Sequence, residues 1–411
     1  MIKLFKNIKE LVQVRTEPIS FVAGEEMKNL PTIKDAFLLV EDGIIKAFGS
    51  MTDCPRIDAA EIIDVSGKII MPSYCDSHTH LVYAGNREGE FVDKINGLSY
   101  EEIANRGGGI LNSAKLIATT SEDELFEQSK VRLQEIIEQG TGAVEIKSGY
   151  GLSFDSELKM LRVIRRLKQE SEIEIKATFL GAHAIPVDYK NNKQGYLRML
   201  IDELMPVIAE EKLAEYVDIF CEKGYFSVAD TELILDAGQK YNLIPKIHVN
   251  QFNSIGGVQA GVKYNALSLD HLEVLGKGDI DAMKTSKAMP VALPSCSYFL
   301  SIPYTPAREI MKAGLPIALA SDFNPGSTPS GNMSFVIATA CIKMKMTPEE
   351  AINAATLNGA YAMGLEKELG SITVGKLANI FITKPVNSYS SLAYYFATNN
   401  IESVYLKGDK Q

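Results

Sequence analysis

Apolar and polar positions follow two different rhythms along the chain. Residues 1 to 68 read as short strands and turns. Phe37-Leu-Leu-Val-Glu-Asp-Gly-Ile-Ile-Lys-Ala-Phe-Gly49 has the pattern of a hairpin, with Asp42-Gly43 as its two-residue turn. Ile62-Ile-Asp-Val-Ser-Gly67 then turns the chain into Lys68-Ile-Ile-Met-Pro72. From Ile69 onward, apolar runs alternate with helical patterns. Ser121 and Glu124 have capping-box spacing, and the helix they open ends near Gly140. A helix over 155–170 places Leu158, Leu161, Ile164 and Leu167 on one face. Further helices are expected over 194–212 and 228–241.

The apolar runs between these helices are Ile69–His80, Thr141–Gly149, Glu174–His183, Val217–Cys221, Ile244–Val249, Ala266–His271, Ala288–Leu293 and Pro316–Asp322. Strands joined by helical crossovers form parallel sheets. Eight such units over roughly 250 residues predict a (β/α)8 TIM-like barrel, with a doubly wound sheet as the alternative. Thr347-Pro-Glu-Glu350 opens one more helix, running to about Met363 and stopping at Gly364. The tail, Gly370–Ile382 and Val404–Gly408, is β again. The expected organisation is a barrel over 69–364 and a small β-sandwich domain built from both chain ends, 1–68 and 365–411.

Composition bounds the partners. The chain has 411 residues, 46% hydrophobic and 23% charged, as in a globular protein with a large core. A net charge of −10 argues against nucleic acid or an anionic membrane as partner. No apolar run reaches the length of a membrane span, and the N-terminus has no signal-peptide pattern. The five cysteines are scattered, without metal-site or disulfide spacing, which fits reduced thiols and a cytoplasmic protein.

The chemistry is concentrated in the histidines. His78 and His80 stand one residue apart at the end of an apolar run. On a strand they share a face, as two ligands of one metal ion would, or as two hydrogen-bonded side chains of a polar strand end. The chain has five histidines: His78, His80, His183, His248 and His271. Each falls at the C-terminal end of a predicted strand, the face where barrel enzymes build their sites. Asp322 ends the last strand, as a metal ligand or base, or as a helix cap. His78, His80, His248 and Asp322 make a three-nitrogen, one-oxygen set with room for water, the catalytic rather than the structural type. A cation there lowers the pKa of water toward ~7. Asp322 can take the proton, and His271 can polarise, orient or relay.

Several motifs carry a more specific likeness: Pro72…Asp76-Ser-His-Thr-His-Leu-Val-Tyr-Ala-Gly-Asn-Arg87, Gly107-Gly-Gly-Ile110, Glu145-Ile-Lys-Ser-Gly-Tyr-Gly151, Phe179-Leu-Gly-Ala-His183, Ser268-Leu-Asp-His-Leu272 and Ala320-Ser-Asp-Phe-Asn-Pro-Gly326. With these the chain resembles the amidohydrolase superfamily and, over nearly its whole length, the imidazolonepropionase family within it. The resemblance implies hydrolysis of 4-imidazolone-5-propanoate to N-formimidoyl-L-glutamate in histidine degradation, on one Zn or Fe ion, by a homodimer. It places Arg87 and Tyr150 on the substrate. A guanidinium fork suits the propionate tail. His183 would polarise the ring carbonyl or hold the oxyanion. Asn324, Gly326 and Ser327 resemble further substrate contacts, although Asn-Pro-Gly is equally a turn. Gly107-Gly-Gly109, beside Arg106, lacks the phosphate-loop pattern and reads as a flexible loop able to close over substrate.

Two positions separate neighbouring activities. Ring deaminases of the superfamily carry a proton-shuttling Glu three residues after the strand-five His. Here Gln251 stands there and resembles a substrate contact instead. Asn250 replaces the Asp expected beside it. Binuclear, dipeptidase-like members use a carboxylated Lys near strand four. Lys223 lies two residues past Cys221, in the loop, so one metal is expected.

Overall fold

The apolar run Ile69–His80, expected as one strand, is two. Pro72 has no N–H to continue a ladder, and at Ser73 the chain changes partner: Ser73 N–H donates to Asn379 O and Tyr74 N–H to Gly140 O. Ile69–Pro72 pairs with Ile2–Val12 and Ile380–Thr383 in a terminal sheet, whereas Tyr74–Thr79 starts the barrel. The computed structural model describes residues 1–98, 102, 108–396 and 398–411. Arg106 and Gly107, part of the loop expected to cover the substrate, lie outside the described residues.

The barrel strands are β1 (Tyr74–Thr79), β2 (Thr141–Lys147), β3 (Glu174–Ala182), β4 (Tyr216–Cys221), β5 (Ile247–Val249, preceded by Ile244–Pro245), β6 (Ser268–His271), β7 (Met289–Ala292) and β8 (Ala318–Leu319). They pair in sequence order, all parallel. The ring closes between β8 and β1. Asp322 N–H donates to His78 O at 3.0 Å and His80 N–H to Phe323 O at 2.8 Å. Buried Asp76 of β1 clasps the same seam, accepting from Ser321 N–H (2.9 Å) and from its hydroxyl (2.5 Å).

Helices cover the barrel much as the periodicity predicts. Glu122–Glu138 is capped by Ser121, whose hydroxyl accepts from Glu124 N–H. Phe154–Glu170 buries Leu158, Leu161, Ile164 and Leu167. The helix expected over 194–212 is interrupted by a π-turn, Met199–Leu204. Pro206 follows that turn; it can make no bond to the carbonyl four residues back, so the ladder reorganises ahead of it. Thr347 and Glu350 form the expected capping box, but that helix breaks at Thr356 into Pro348–Ala355 and Leu357–Ala362.

The two chain ends share one mixed sheet. Its order is Asp409–Lys410, Ile401–Leu406, Ile380–Thr383, Ile69–Pro72, Ile2–Val12, Thr32–Glu41, Ile44–Ser50, with Glu61–Asp64 also on Ile2–Val12. Asp42 and Gly43 both have positive φ (50° and 78°), as the predicted two-residue hairpin turn requires. The segment leading into Ile380–Thr383 also binds the hairpin: Gly375 N–H donates to Ile45 O and Ala378 N–H to Gly43 O. Phe5, Ile8, Leu11, Leu38, Ile70, Ile380 and Tyr405 fill the core so enclosed. Asn379 ties this sheet to the barrel through Gly142 O. Among the described residues, no helix is long and apolar enough to cross a membrane.

Candidate metal centre and active site

All five histidines lie at the C-terminal mouth of the barrel, as expected. One cavity is lined by His80, Tyr150, His183, Phe220, His248, Gln251, His271, Asp322, Asn324 and Ser327. Backbone conformation aims several of these groups. Asn250 (φ 58°), His271 (φ 88°) and Asp322 (φ 57°), at or just past strand ends, are non-glycine residues in the left-handed region.

His78, His80, His248 and Asp322 converge. Asp322 Oδ1 is 3.6 Å from both His78 Nε2 and His80 Nε2. His80 Nε2 and His248 Nε2 are 3.5 Å apart. His78 Nε2 is buried and has no hydrogen-bond partner among the described residues. Burial favours neutral imidazole here, lowering His248 to about 3 and holding His78 and His80 well below the ordinary range. Neutral rings present lone pairs, and burial lifts Asp322 to about 6. Inward-facing lone pairs beside a carboxylate, with one nitrogen left unsatisfied, fit a divalent cation.

The opposite edges of two rings are fixed from below. His78 Nδ1 is 2.7 Å from Asp270 Oδ2, and His248 Nδ1 is 2.9 Å from Asp218 Oδ2. Such carboxylates set the tautomer and the direction of a ligating imidazole. Lys147 Nζ joins them, 2.9 Å from Asp218 Oδ2, 3.6 Å from Asp270 Oδ2 and 2.5 Å from Glu145 Oε1. Lys246 pairs with the other oxygen of Glu145 and reaches Ser77 O and Ala362 O. These five charged side chains are completely buried. Burial opposes the charge of Lys147, yet Asp218, Glu145 and Asp270 outweigh it and raise its pKa. The sequence reading missed this layer, although Glu145 and Lys147 share a strand face and Asp270 directly precedes His271.

The residues expected to meet substrate divide into two groups. Tyr150 and His183 line the cavity. The rings of His80 and His183 stack, with centroids 5.1 Å apart and planes at 8°, and Tyr150 meets both edge-on. Glu157 holds the loop carrying Tyr150, accepting from Gly149, Gly151 and Leu152 N–H. His183 Nδ1 faces Gly149 O at 3.1 Å. That partner assigns the ring proton to Nδ1 and leaves Nε2 an acceptor. Burial lowers His183 to about 4, which favours the neutral ring.

Arg87 stands outside the cavity, whereas Asn324 and Ser327 line it and also close their own turn. The Arg87 fork is closed onto Glu90, through Nε (2.8 Å) and one Nη (2.6 Å), and Arg87 does not line the cavity. It does abut Gly326, where a Cβ would lie 2.2 Å from Nη1, so a larger residue would push the Arg87 side chain aside. The Asn324 side chain serves its own turn, accepting from Gly326 and Ser327 N–H and donating to Asp322 O and Ser327 Oγ. The Ser327 hydroxyl donates in turn to Asp322 Oδ2 at 3.3 Å, which orients the carboxylate. Gln251 lines the cavity, its amide 3.5 Å from Cys296 Sγ. The unexpected Asn250 donates to Asp279 Oδ2 at 2.7 Å, where an Asp would face a second carboxylate. Lys223 is exposed beyond β4, away from the ligands.

Comparisons with known proteins agree with this architecture. Residues 69–410 match the amidohydrolase family model. Imidazolonepropionase of Flavobacterium johnsoniae is 66% identical over 408 residues, 99% of each chain. That of Flavobacterium psychrophilum is 64% identical, over 98% of each chain. Guanine deaminase of E. coli has the same fold, at a TM-score of 0.76 and 15% identity, over 100% of this chain and 99% of its own. Identity of this level over the whole length, together with the matched family model, shows that the chain belongs to the amidohydrolase family, on its imidazolonepropionase branch.

Proposed function

We propose that the chain hydrolyses the cyclic amide of 4-imidazolone-5-propanoate, adding one water across the ring C–N bond to give N-formimidoyl-L-glutamate. The observation carrying this reading is the convergence of His78, His80, His248 and Asp322 beside Tyr150, His183 and Gln251. A divalent ion held by those four groups supplies Lewis acidity that makes water nucleophilic at neutral pH.

The protein's own groups do the rest. Asp322, with a pKa raised toward the working pH, takes the water proton and returns it to the departing ring nitrogen. Burial disfavours a charged His271, but Glu273, Asp322 and Asp270 prevail and raise its pKa, so its N–H is available to the developing oxyanion. His183 Nε2 accepts the ring N–H, consistent with its tautomer. Gln251 carries no exchangeable acid, which suits amide hydrolysis better than deamination. Arg87 binds the propionate once that tail displaces Glu90, with Gly326 leaving it space.

Arg87→Ala is accordingly expected to raise KM about 10–100-fold while kcat changes little. An unchanged KM removes Arg87 from the site. We further take the ion as zinc or iron, one per chain, since three imidazoles and a carboxylate suit either. A homodimer in the cytoplasm completes the reading; five free cysteines support a reducing compartment. The test is direct: metal-replete protein mixed with imidazolone propionate should bleach the ring absorbance and yield a product heavier by one water, without ammonia. Ammonia release would favour a deaminase, and no turnover would sink the assignment.

A further inference from the structure

One buried cluster beside the catalytic groups holds a thiol and a carboxylate oxygen that the catalytic reading does not use. His271, Glu273 and Cys296 each offer a donor atom, all within 4.8 Å of one another. All three are buried, with exposures of 3%, 4% and 0%. His271 Nδ1 is 3.2 Å from Glu273 Oε1, and Ser297 Oγ is 3.4 Å from the same oxygen. The other oxygen, Glu273 Oε2, is buried with no hydrogen-bond partner among the described residues. That oxygen is desolvated without a hydrogen bond, a cost that a bound cation would offset. Imidazole, carboxylate and thiolate are the three protein ligand types of zinc.

We propose that His271, Glu273 and Cys296 form a second, weaker site for a thiophilic divalent cation, and that filling it inhibits the hydrolase. The proposal rests on the hydrolase reading only for the inhibition, not for the binding. The cation displaces the Cys296 thiol proton to solvent, and the His271 Nδ1 proton leaves or moves to Nε2. Three ligands here against four at His78 make this the weaker site. The carboxylates of Asp322 and Glu273 attract the incoming cation. Inhibition follows because His271 is then fixed to the ion and cannot serve the developing oxyanion.

The experiment titrates Cd²⁺ into enzyme already holding one catalytic ion, reading the thiolate-to-cadmium ultraviolet band and turnover together. One further equivalent should bind, with the band rising as turnover falls. Cys296→Ser keeps a hydroxyl beside Asp322 but loses the soft ligand. It should retain kcat within about twofold, show no band, and bind the second ion at least about tenfold more weakly. A Cys54→Ser/Cys341→Ser variant, lacking the two less buried thiols, should keep both band and inhibition. No band at saturating Cd²⁺, a band lost in that double variant, or inhibition undiminished in Cys296→Ser would each overturn the proposal. The band reports binding even in protein that fails to turn over imidazolone propionate, so the two readings fail separately.

Discussion

Asp322→Asn should lower kcat by at least about 10³-fold with little change in KM, because the amide keeps the shape of the carboxylate and loses its basicity. Asp322 is placed for two tasks. Its Oδ1 faces the ring nitrogens of His78 and His80, and its Oδ2 accepts the Ser327 hydroxyl. Burial raises it to about 6, so it is a stronger proton acceptor than a surface carboxylate. Metal content measured on the same variant separates the tasks. Bound metal with turnover lost identifies the proton transfer, and metal lost identifies the ligand. A variant with kcat within tenfold of the parent would show that another group takes the proton.

Lys147→Met should cost about 3–5 kcal/mol of stability, since it leaves three buried carboxylates around an absent cation. It should also weaken metal binding about 10–100-fold through Asp218 and Asp270, which hold His248 and His78 by Nδ1. Methionine has nearly the length of lysine, so packing alone changes little. The two effects are measured apart: denaturant unfolding of metal-free protein gives the first, and competition with a chelator gives the second. Lys147→Arg should recover part of the metal affinity if charge is what matters. Unchanged affinity in Lys147→Met would reduce the buried layer to a structural role.

The mouth of the barrel was legible because each histidine closes an apolar run, and period alone places such residues at strand ends. Asp322 was legible for the same reason. The layer beneath was not. In parallel strands both faces are buried, so alternation does not say whether Glu145, Lys147, Asp218 or Asp270 points into the barrel or toward a helix. The pairing of Arg87 with Glu90 depends on a helix beginning at Glu88, a boundary the sequence pattern did not mark. The acceptor state of His183 depends on Gly149 O, a backbone contact that no side-chain pattern reveals. The split of Ile69–His80 was written in Pro72 and overlooked because the run is apolar on both sides.

The central claim is that His78, His80, His248 and Asp322 hold one divalent ion on which turnover depends. Stripping the protein with a chelator and titrating zinc or iron(II) back, while following imidazolone propionate hydrolysis, tests it most directly. Activity should vanish on stripping, return in proportion to added metal and reach its maximum at one ion per chain. Undiminished activity in fully stripped protein, or a maximum reached only at two ions per chain, would contradict the account.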